Sequence, residues 1–203
     1  MGVAQRNTKM TPEEYLAFER ASETRHDYWD GQVYDMAGES ETHSKICTNI
    51  STALKVRLRG RGCVVFSPNM KVKTASGGPF VYADVIVTCG ERQYHDEKQD
   101  LLLNPQVIIE VLSPSTADYD REEKFARYRE IASLKDYVLV SQRRPYVEHF
   151  IRQEKFPWGF SVAADLSDSI HLTAIGCDLP LAEIYEEIDF PALPLFQGIE
   201  PEE

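Results

Sequence analysis

A run of six residues, Val107-Ile108-Ile109-Glu110-Val111-Leu112, places apolar side chains on both alternating faces of an extended chain. Such a run is typical of a strand buried in the centre of a sheet that is covered on both sides. We therefore predict a central strand over residues 106–112. Glu110 interrupts the run, and a buried ionised carboxylate is costly unless a cation, a metal or hydrogen bonds compensate for its charge. The sequence thus predicts a partner for Glu110 as well as the strand.

Strand and helix signals alternate along the rest of the chain. Strands rich in Val and Ile are predicted over 63–73, 80–89, 137–140 and 146–151, with two short ones near 160–162 and 170–172. Helices are predicted from Thr11-Pro12 to about Arg20, from Ser40 or Thr42 to near Gly60, and from Ser115 or Asp120 to before Asp136. Asp30-Gly31 predicts a hairpin turn. The order of these elements predicts an α/β fold with a central mixed sheet flanked by helices.

The 203 residues are predicted to form one domain, with its core at about 9–190 and an acidic, proline-containing tail at 191–203. No run approaches the roughly 18 apolar residues that a membrane-spanning helix needs, and the first residues lack an apolar signal core. These features predict a cytoplasmic protein. The four cysteines lack zinc-ligand spacing, so we predict buried reduced thiols and no disulfide framework for Cys47, Cys63, Cys89 and Cys177.

The net charge of −11 argues against a nucleic-acid partner, but the charges are unevenly distributed. No acidic residue occurs between Lys45 and Ala83. The basic residues of this segment are Lys45, Lys55, Arg57, Arg59, Arg61, Lys71 and Lys73. They could meet a polyanion such as DNA, or they could form an ordinary solvated helix face.

A second acidic residue, Asp84, interrupts the predicted apolar strand 81–87 as Glu110 interrupts its own. If the two strands are neighbours and both carboxylates point to one sheet face, they can hold Mg²⁺ together with waters and a substrate phosphate. The alternative is that both carboxylates belong to structural ion pairs, with Arg121 or Arg127 as partners.

Phosphodiester hydrolysis also needs a cation near the attacking water or the phosphate, and Lys124 on the third predicted helix is the best candidate. A lysine in this charged segment could equally face solvent. His43 lies in the first turn of the second helix, where it could bind a metal or serve a structural role. The chain lacks a Gly-x-Ser-x-Gly motif, so it offers little support for acyl transfer.

Several segments together resemble a known protein family. They are Asp27-Tyr28 with Asp30-Gly31, Met36-Ala37-Gly38 with His43, Ala83-Asp84-Val85, Glu110-Val111-Leu112-Ser113-Pro114-Ser115-Thr116, and Asp120-Arg121 with Lys124 and Tyr128. The chain is similar over about residues 9–190 to the bacterial restriction-endonuclease-like family once catalogued as a domain of unknown function. That family is a branch of the PD-(D/E)xK nuclease superfamily.

The resemblance implies that Asp84 and Glu110 bind Mg²⁺, with Mn²⁺ as a substitute, and that a lysine polarises the attacking water. The superfamily's lysine position is Leu112 here, so the ammonium has to come from Lys124. His43 and Tyr128 resemble the histidine and helical tyrosine of exonuclease-like branches. Asp27 stands where the family more often has Glu, which makes it a candidate accessory residue, and Ala83 replaces the usual Pro.

The first functional hypothesis is a Mg²⁺-dependent DNA endonuclease in which Asp84, Glu110, Lys124 and His43 are catalytic. Lys55, Arg57, Arg59, Arg61, Lys71 and Lys73 would hold DNA phosphates without reading sequence. The alternative is a catalytically inactive nuclease-fold module that binds nucleic acid or a protein partner. A homodimer is expected from the family resemblance.

Overall fold

The computed structural model describes residues 9–36, 38–74, 78–113, 117–155 and 158–190. The tail predicted at 191–203 and the alternative helix start at Ser115 lie outside these ranges. The helices are α1 (Pro12–Ala21), α2 (Glu41–Arg57), α3 (Ala117–Tyr119), α4 (Phe125–Tyr128) and α5 (Leu181–Ile184), and a π-helical segment (Asp120–Lys124) joins α3 to α4. The first seven strands are β1 (His26–Trp29), β2 (Gln32–Asp35), β3 (Cys63–Phe66), β4 (Lys71–Lys73), β5 (Phe80–Tyr82), β6 (Val85–Cys89) and β7 (Leu101–Leu102). The others are β8 (Val107–Leu112), β9 (Asp136–Ser141), β10 (Val147–Arg152), β11 (Trp158–Ala163), β12 (Ser169–Leu172) and β13 (Cys177–Pro180).

A six-stranded mixed sheet forms the centre of the fold, in the order β11-β10-β9-β8-β6-β3. Strand β8 pairs in parallel with β9 and antiparallel with β6, and all six of its residues are buried. A smaller sheet has the order β2-β1-β5-β4-β7, and β12 pairs with β13 as a separate hairpin. The predicted α/β class with a central mixed sheet flanked by helices is confirmed.

The alternating residues of β8 face two different hydrophobic clusters. Val107, Ile109 and Val111 pack with the buried face of α2 and with the β12–β13 hairpin. Ile108 and Leu112 pack with Tyr128 and with residues of the smaller sheet. Glu110 therefore points toward α4 and the smaller sheet, because side chains two residues apart share a face.

Two predicted strands were wrong in one respect, because each is divided between the two sheets. The run 63–73 forms β3 in the larger sheet and β4 in the smaller one, and the run 80–89 forms β5 and β6 in the same way. The first crossing coincides with the turn-forming residues Ser67-Pro68-Asn69, whereas at the second crossing only Asp84 interrupts the apolar run. The second crossing, at Ala83 and Asp84, brings Asp84 to the junction between the sheets.

Local sequence signals predicted the first two helices correctly. The Thr11 hydroxyl accepts from the Glu14 amide and the Glu14 side chain accepts from the Thr11 amide, which is a capping box. Ser40 caps α2 by accepting from the His43 amide, and Ile46, Ile50 and Leu54 are fully buried. This cap fixes His43 in the first turn of α2. The helix ends at Arg57 rather than near Gly60.

The third predicted helix is instead three short pieces, α3, the π-helical segment and α4, which end at Tyr128. A π-helix widens each turn to i→i+5 hydrogen bonds and changes the direction of the side chains that follow. Here Asp120 and Lys124 are both buried despite lying in the charged sequence Asp-Arg-Glu-Glu-Lys. The prediction assumed a uniform period of 3.6 residues, which a local widening breaks.

The cysteine prediction was wrong for one pair. Cys63 and Cys89 form a disulfide across β3 and β6, where they are register partners with Cα atoms 3.9 Å apart. Their separation of 26 residues carries no information about strand register, so the sequence alone did not indicate the bond. Cys47 and Cys177 are free and buried, as predicted.

The described part of the chain contains no helix with the length and hydropathy of a membrane span. The cytoplasmic location and the homodimer stay predictions. Strands β7 and β13 and helix α5 were not predicted, since each is only two to four residues long.

Asp136 at the start of β9 joins the β12–β13 region to the central sheet. Its fully buried carboxylate lies 2.8 Å from His149 Nε2 and accepts bonds from the amides of Thr173 and Ala174 and from the Thr173 hydroxyl. These contacts satisfy polar groups that would otherwise be buried without partners.

We expect Asp136→Ala to lower the free energy of unfolding by about 3 kcal/mol, because several buried donors lose their acceptor. Urea denaturation measures this change. Asp178→Ala is the matched control, since Asp178 is 73% exposed and pairs with the exposed His171. The control should lose less than about 0.5 kcal/mol. Equal losses in both variants would contradict the role assigned to Asp136.

Candidate active site

A cavity of about 480 Å³ lies where the two sheets, α2 and the π-helical segment meet. Five of the predicted site residues line it, namely Asp27, His43, Asp84, Glu110 and Lys124. Tyr128 lies just behind the cavity and contacts Glu110. None of the six predicted DNA-binding residues lines it. The structure thus brings together the predicted catalytic residues and separates them from the predicted basic segment.

Asp84 lies one position beyond the last paired residues of β6 and β8, Val85 and Ile109. Continuing this register would set Asp84 opposite Glu110. Asp84 Oδ2 accepts a 2.7 Å hydrogen bond from the Val111 amide, which fixes the carboxylate against β8 next to Glu110. The two acids are therefore neighbours at one end of the β6–β8 pair, as the sequence predicted.

His43 connects helix α2 to Asp84. Its Nε2 lies 3.1 Å from Asp84 Oδ2, and its Nδ1 lies 2.9 Å from Glu39 Oε2. Burial by itself favours the neutral ring, but hydrogen bonds to Asp84 and Glu39 raise the pKa of His43 above its ordinary value. An imidazolium that donates to both carboxylates is the state that these contacts favour.

Glu110 finds its partner in Lys124. Lys124 Nζ lies 2.9 Å from Glu110 Oε1 and 3.6 Å from Asp120 Oδ1, and the Tyr128 hydroxyl donates to the same Glu110 oxygen at 3.0 Å. Arg121 and Arg127 pair elsewhere, with Glu148 and Asp30, so the proposed ion pairs with those arginines were wrong.

The protonation of this pair is set by opposing effects. Burial raises the pKa of Glu110, while the Lys124 ammonium 2.9 Å away acts against this rise. Burial alone would lower the pKa of Lys124, but Glu110, Asp120 and Asp27 raise it well above its ordinary value. Lys124 is therefore held as a buried ammonium ion within a group of carboxylates.

Asp27 approaches the cavity from β1. Its Oδ1 accepts a 3.0 Å hydrogen bond from the Tyr82 amide. Burial raises the pKa of Asp27 to about 6, although Lys124 and the Tyr82 amide oppose the rise. The neighbouring His26 fixes this strand, because its Nδ1 lies 2.8 Å from the buried carboxylate of Glu19.

The predicted DNA-binding residues make different contacts. Lys71 is buried and lies 3.3 Å from Asp100, Arg57 pairs with Glu183, and Arg61 donates to the carbonyls of Ile175 and Gly176. Lys73 lies over the ring of Phe80. Lys55 and Arg59 are exposed near the end of α2.

Sequence reasoning missed four charged residues of the cavity, Arg25, Asp35, Glu39 and Asp120. Two of them carried a usable signal. Glu39 precedes His43 by four residues and Asp120 precedes Lys124 by four, the spacing that brings charged partners together on a helix. Glu39, His43 and Cys47 also form a group whose possible metal-binding atoms lie within 4.8 Å of one another.

We expect Asp27→Asn to change the pH dependence of stability. Folded Asp27 holds its proton up to about pH 6, whereas the unfolded residue loses it near its ordinary pKa of 3.8. Its contribution therefore lowers the free energy of unfolding as the pH rises through this window, and the loss persists above it. The free energy of unfolding of the variant, measured by urea denaturation from pH 4 to 7, should fall less steeply than that of the wild type.

The exposed Asp118 provides the control, because Asp118→Asn makes the same change in charge. Its pH profile should follow the wild type. If the unfolding free energy of Asp27→Asn fell with pH as steeply as that of the wild type, the buried environment of Asp27 would not be what shifts its pKa.

Two relatives from Synechocystis sp. resemble this chain over most of its length. The uncharacterized protein slr1290 is 34% identical over 183 residues, which cover 90% of this chain and 94% of the relative. The uncharacterized protein sll1609 is 32% identical over 149 residues, which cover 73% and 84% of the two chains.

A crystal structure from Anabaena variabilis, described as a "putative nuclease belonging to DUF820", has the same fold. It matches with a TM-score of 0.71 and 15% sequence identity, over 86% of this chain and 97% of that one. The model of the Uma2 family, described as "Putative restriction endonuclease", matches residues 12–180. The chain belongs to this restriction-endonuclease-like family.

Proposed function

We propose that this protein is a metal-dependent nuclease that hydrolyses phosphodiester bonds in DNA. The observation that carries the proposal is the placement of Asp84, Glu110 and Lys124 around one cavity, with the buried ammonium 2.9 Å from Glu110. Two carboxylates and a cation at one opening are the groups that metal-assisted phosphodiester hydrolysis requires. Membership of a family described as restriction endonucleases supports the choice of substrate.

The charges of the cavity favour a bound cation. Among the described residues, its lining holds six carboxylates against the cationic groups of Arg25, His43 and Lys124. The acidic residues are Asp27, Asp35, Glu39, Asp84, Glu110 and Asp120. Carboxylate oxygens are the ligands that Mg²⁺ prefers, and Mn²⁺ accepts the same donors. Asp84 and Glu110 would hold the ion, which would supply Lewis-acid activation of the water and the phosphate.

Lys124 supplies the fixed positive charge of the proposed mechanism. Its ammonium lies beside Glu110 and is kept charged by the surrounding carboxylates. There it can orient the attacking water and stabilise the negative charge that develops on the phosphate oxygens when the phosphorus–oxygen ester bond breaks. Leu112, at the superfamily's usual lysine position, packs in the core instead.

His43 and Tyr128 act as positioning residues in this proposal. His43 and the Val111 amide both contact Asp84 Oδ2, so they fix the orientation of that carboxylate. The Tyr128 hydroxyl fixes Glu110 in the same way. Rigid ligands reduce the cost of organising the site when substrate binds. Asp27 has a suitable place in the cavity for an accessory role.

A groove along α2 offers a path for a nucleic-acid strand beside the cavity. Its volume is about 460 Å³, and it shares Glu39 and Pro68 with the cavity. Hydroxyl groups and one cation, which are common phosphate-binding groups, line it on the helix side. They belong to Ser44, Thr48, Ser51, Thr52 and Lys55. The homodimer and the cytoplasmic location complete the proposal.

Purified protein is expected to nick supercoiled plasmid or degrade single-stranded DNA with Mg²⁺ or Mn²⁺ and to be inactive with EDTA. Asp84→Asn, Glu110→Gln and Lys124→Met should each lower the rate by about 100-fold or more, because each removes a charge from the reacting site. Agarose gel assays measure the rates, and circular dichroism verifies that each variant is folded.

Glu148→Gln is a matched control for Glu110→Gln. Glu148 is also a buried glutamate in an ion pair, but it lies outside the cavity lining. The control should cleave DNA at the wild-type rate. Full activity in folded Glu110→Gln would contradict the proposal.

A second measurement separates the nuclease from the inactive binding module. Mg²⁺ or Mn²⁺ should raise the melting temperature of the wild type, since a ligand that binds the folded state stabilises it. The rise should vanish in Asp84→Asn. Absence of both cleavage and a metal-dependent rise would favour the inactive module.

A further inference from the structure

Three potential metal ligands lie at the N-terminal end of α2. His43 and Cys47 are four residues apart within the helix, so they lie on one side of it, and Glu39 immediately precedes the Ser40 cap. His43 Nδ1 lies 2.9 Å from Glu39 Oε2 and 3.5 Å from Cys47 Sγ, and the three possible ligand atoms lie within 4.8 Å of one another. The other ring nitrogen of His43 faces Asp84.

We propose that Glu39, His43 and Cys47 form a site for a thiophilic divalent cation, with Zn²⁺ as the best fit. This site is separate from the carboxylate pair of Asp84 and Glu110, and it does not depend on nuclease activity. A thiolate, an imidazole and a carboxylate are all common Zn²⁺ ligands, and three protein ligands leave a fourth position for water.

The spacing of the ligand atoms suits a tetrahedral ion. Zinc lies about 2.0–2.1 Å from a histidine nitrogen and about 2.3 Å from a thiolate, which sets these two atoms about 3.6 Å apart in a tetrahedron. The observed separation of His43 Nδ1 and Cys47 Sγ is 3.5 Å. In the same tetrahedron, Glu39 Oε2 would lie about 3.4 Å from His43 Nδ1, so it has to move from its present distance of 2.9 Å. The side chain of Glu39 is 44% exposed, so it has room to move.

A second cavity gives access to the site. Cys47 is buried among its neighbours, but Cys47 and Glu39 both line the groove along α2 described above. Neither Asp84 nor Glu110 lines that groove. A cation can therefore reach the thiol from the groove side without passing through the proposed Mg²⁺ site.

The two sites differ in the cations that they select. Thiolate and imidazole ligands favour Zn²⁺, whereas an all-carboxylate set suits Mg²⁺ or Mn²⁺. Binding at Nδ1 replaces a proton of His43, and binding at Cys47 requires the thiolate, so Zn²⁺ binding releases protons. His43 shares its two nitrogens between the sites and links them physically.

Cobalt titration of the full chain tests this proposal, because Co²⁺ replaces Zn²⁺ and gives a near-ultraviolet charge-transfer absorption when a thiolate binds it. The protein is handled without reductant, which keeps Cys63 and Cys89 bonded. We expect one Co²⁺ per chain with this absorption, displaced by Zn²⁺ and retained in excess Mg²⁺. Glu39→Gln should weaken Zn²⁺ binding at least about tenfold.

Cys47→Ala and Cys47→Ser should both lose the absorption, and the serine variant serves if the alanine variant fails to fold. Cys177→Ala is the matched control, since Cys177 is the other free buried cysteine among the described residues and lies outside the cluster. It should retain the absorption. Glu110→Gln should also retain it, which separates this site from the proposed Mg²⁺ site whether or not the protein cleaves DNA.

Two results would overturn the proposal. One is a wild-type protein that binds Co²⁺ without thiolate absorption or does not bind it at all. The other is an absorption that persists when Cys47 is replaced or disappears when Cys177 is replaced.

Discussion

The burial of Glu110 in the central strand is the constraint on which the site depends. A carboxylate in the middle of β8 needs compensation, and Lys124 and Tyr128 supply it from the same helical region. Both Asp120 and Lys124 of the π-helical segment are buried, while Glu122 and Glu123 between them stay exposed.

The crossing between the sheets has a similar role for Asp84. A continuous strand through 80–89 would leave that carboxylate in a two-sided apolar environment, as the sequence pattern suggested. Because the strand breaks at Ala83 and Asp84, the Asp84 carboxylate instead faces the cavity, where it contacts the Val111 amide and His43. The first four residues of β6 can therefore all be buried while the residue before the strand is charged.

Features set by local sequence could be predicted, whereas features set by strand register could not. The capping box at Thr11, the Asp30-Gly31 turn and the buried stripe of α2 depend on residues a few positions apart. The disulfide between Cys63 and Cys89 depends on register across two strands. Asp84, Glu110 and His43 stood out because a charge or an imidazole among apolar residues is visible in one sequence, whereas Lys124 was chosen as a cation on the third predicted helix. Glu39 and Asp120 were missed because acidic residues in charged stretches resemble solvated ones.

The contacts of the basic residues determine which of them could bind DNA. The basic residues along 45–83 could meet a polyanion or form a solvated helix face, and the fold uses Arg57, Arg61 and Lys71 in contacts with other groups of the chain. Glu183 and Asp100 offset the charges of Arg57 and Lys71, whereas Arg61 donates to neutral carbonyls and keeps its charge. Only the cations that stay exposed, such as Lys55 and Arg59, can release counterions from DNA. Long-range attraction is thus a weak source of affinity for a chain of net charge −11, and binding would have to rely on close contacts in the cavity and along α2.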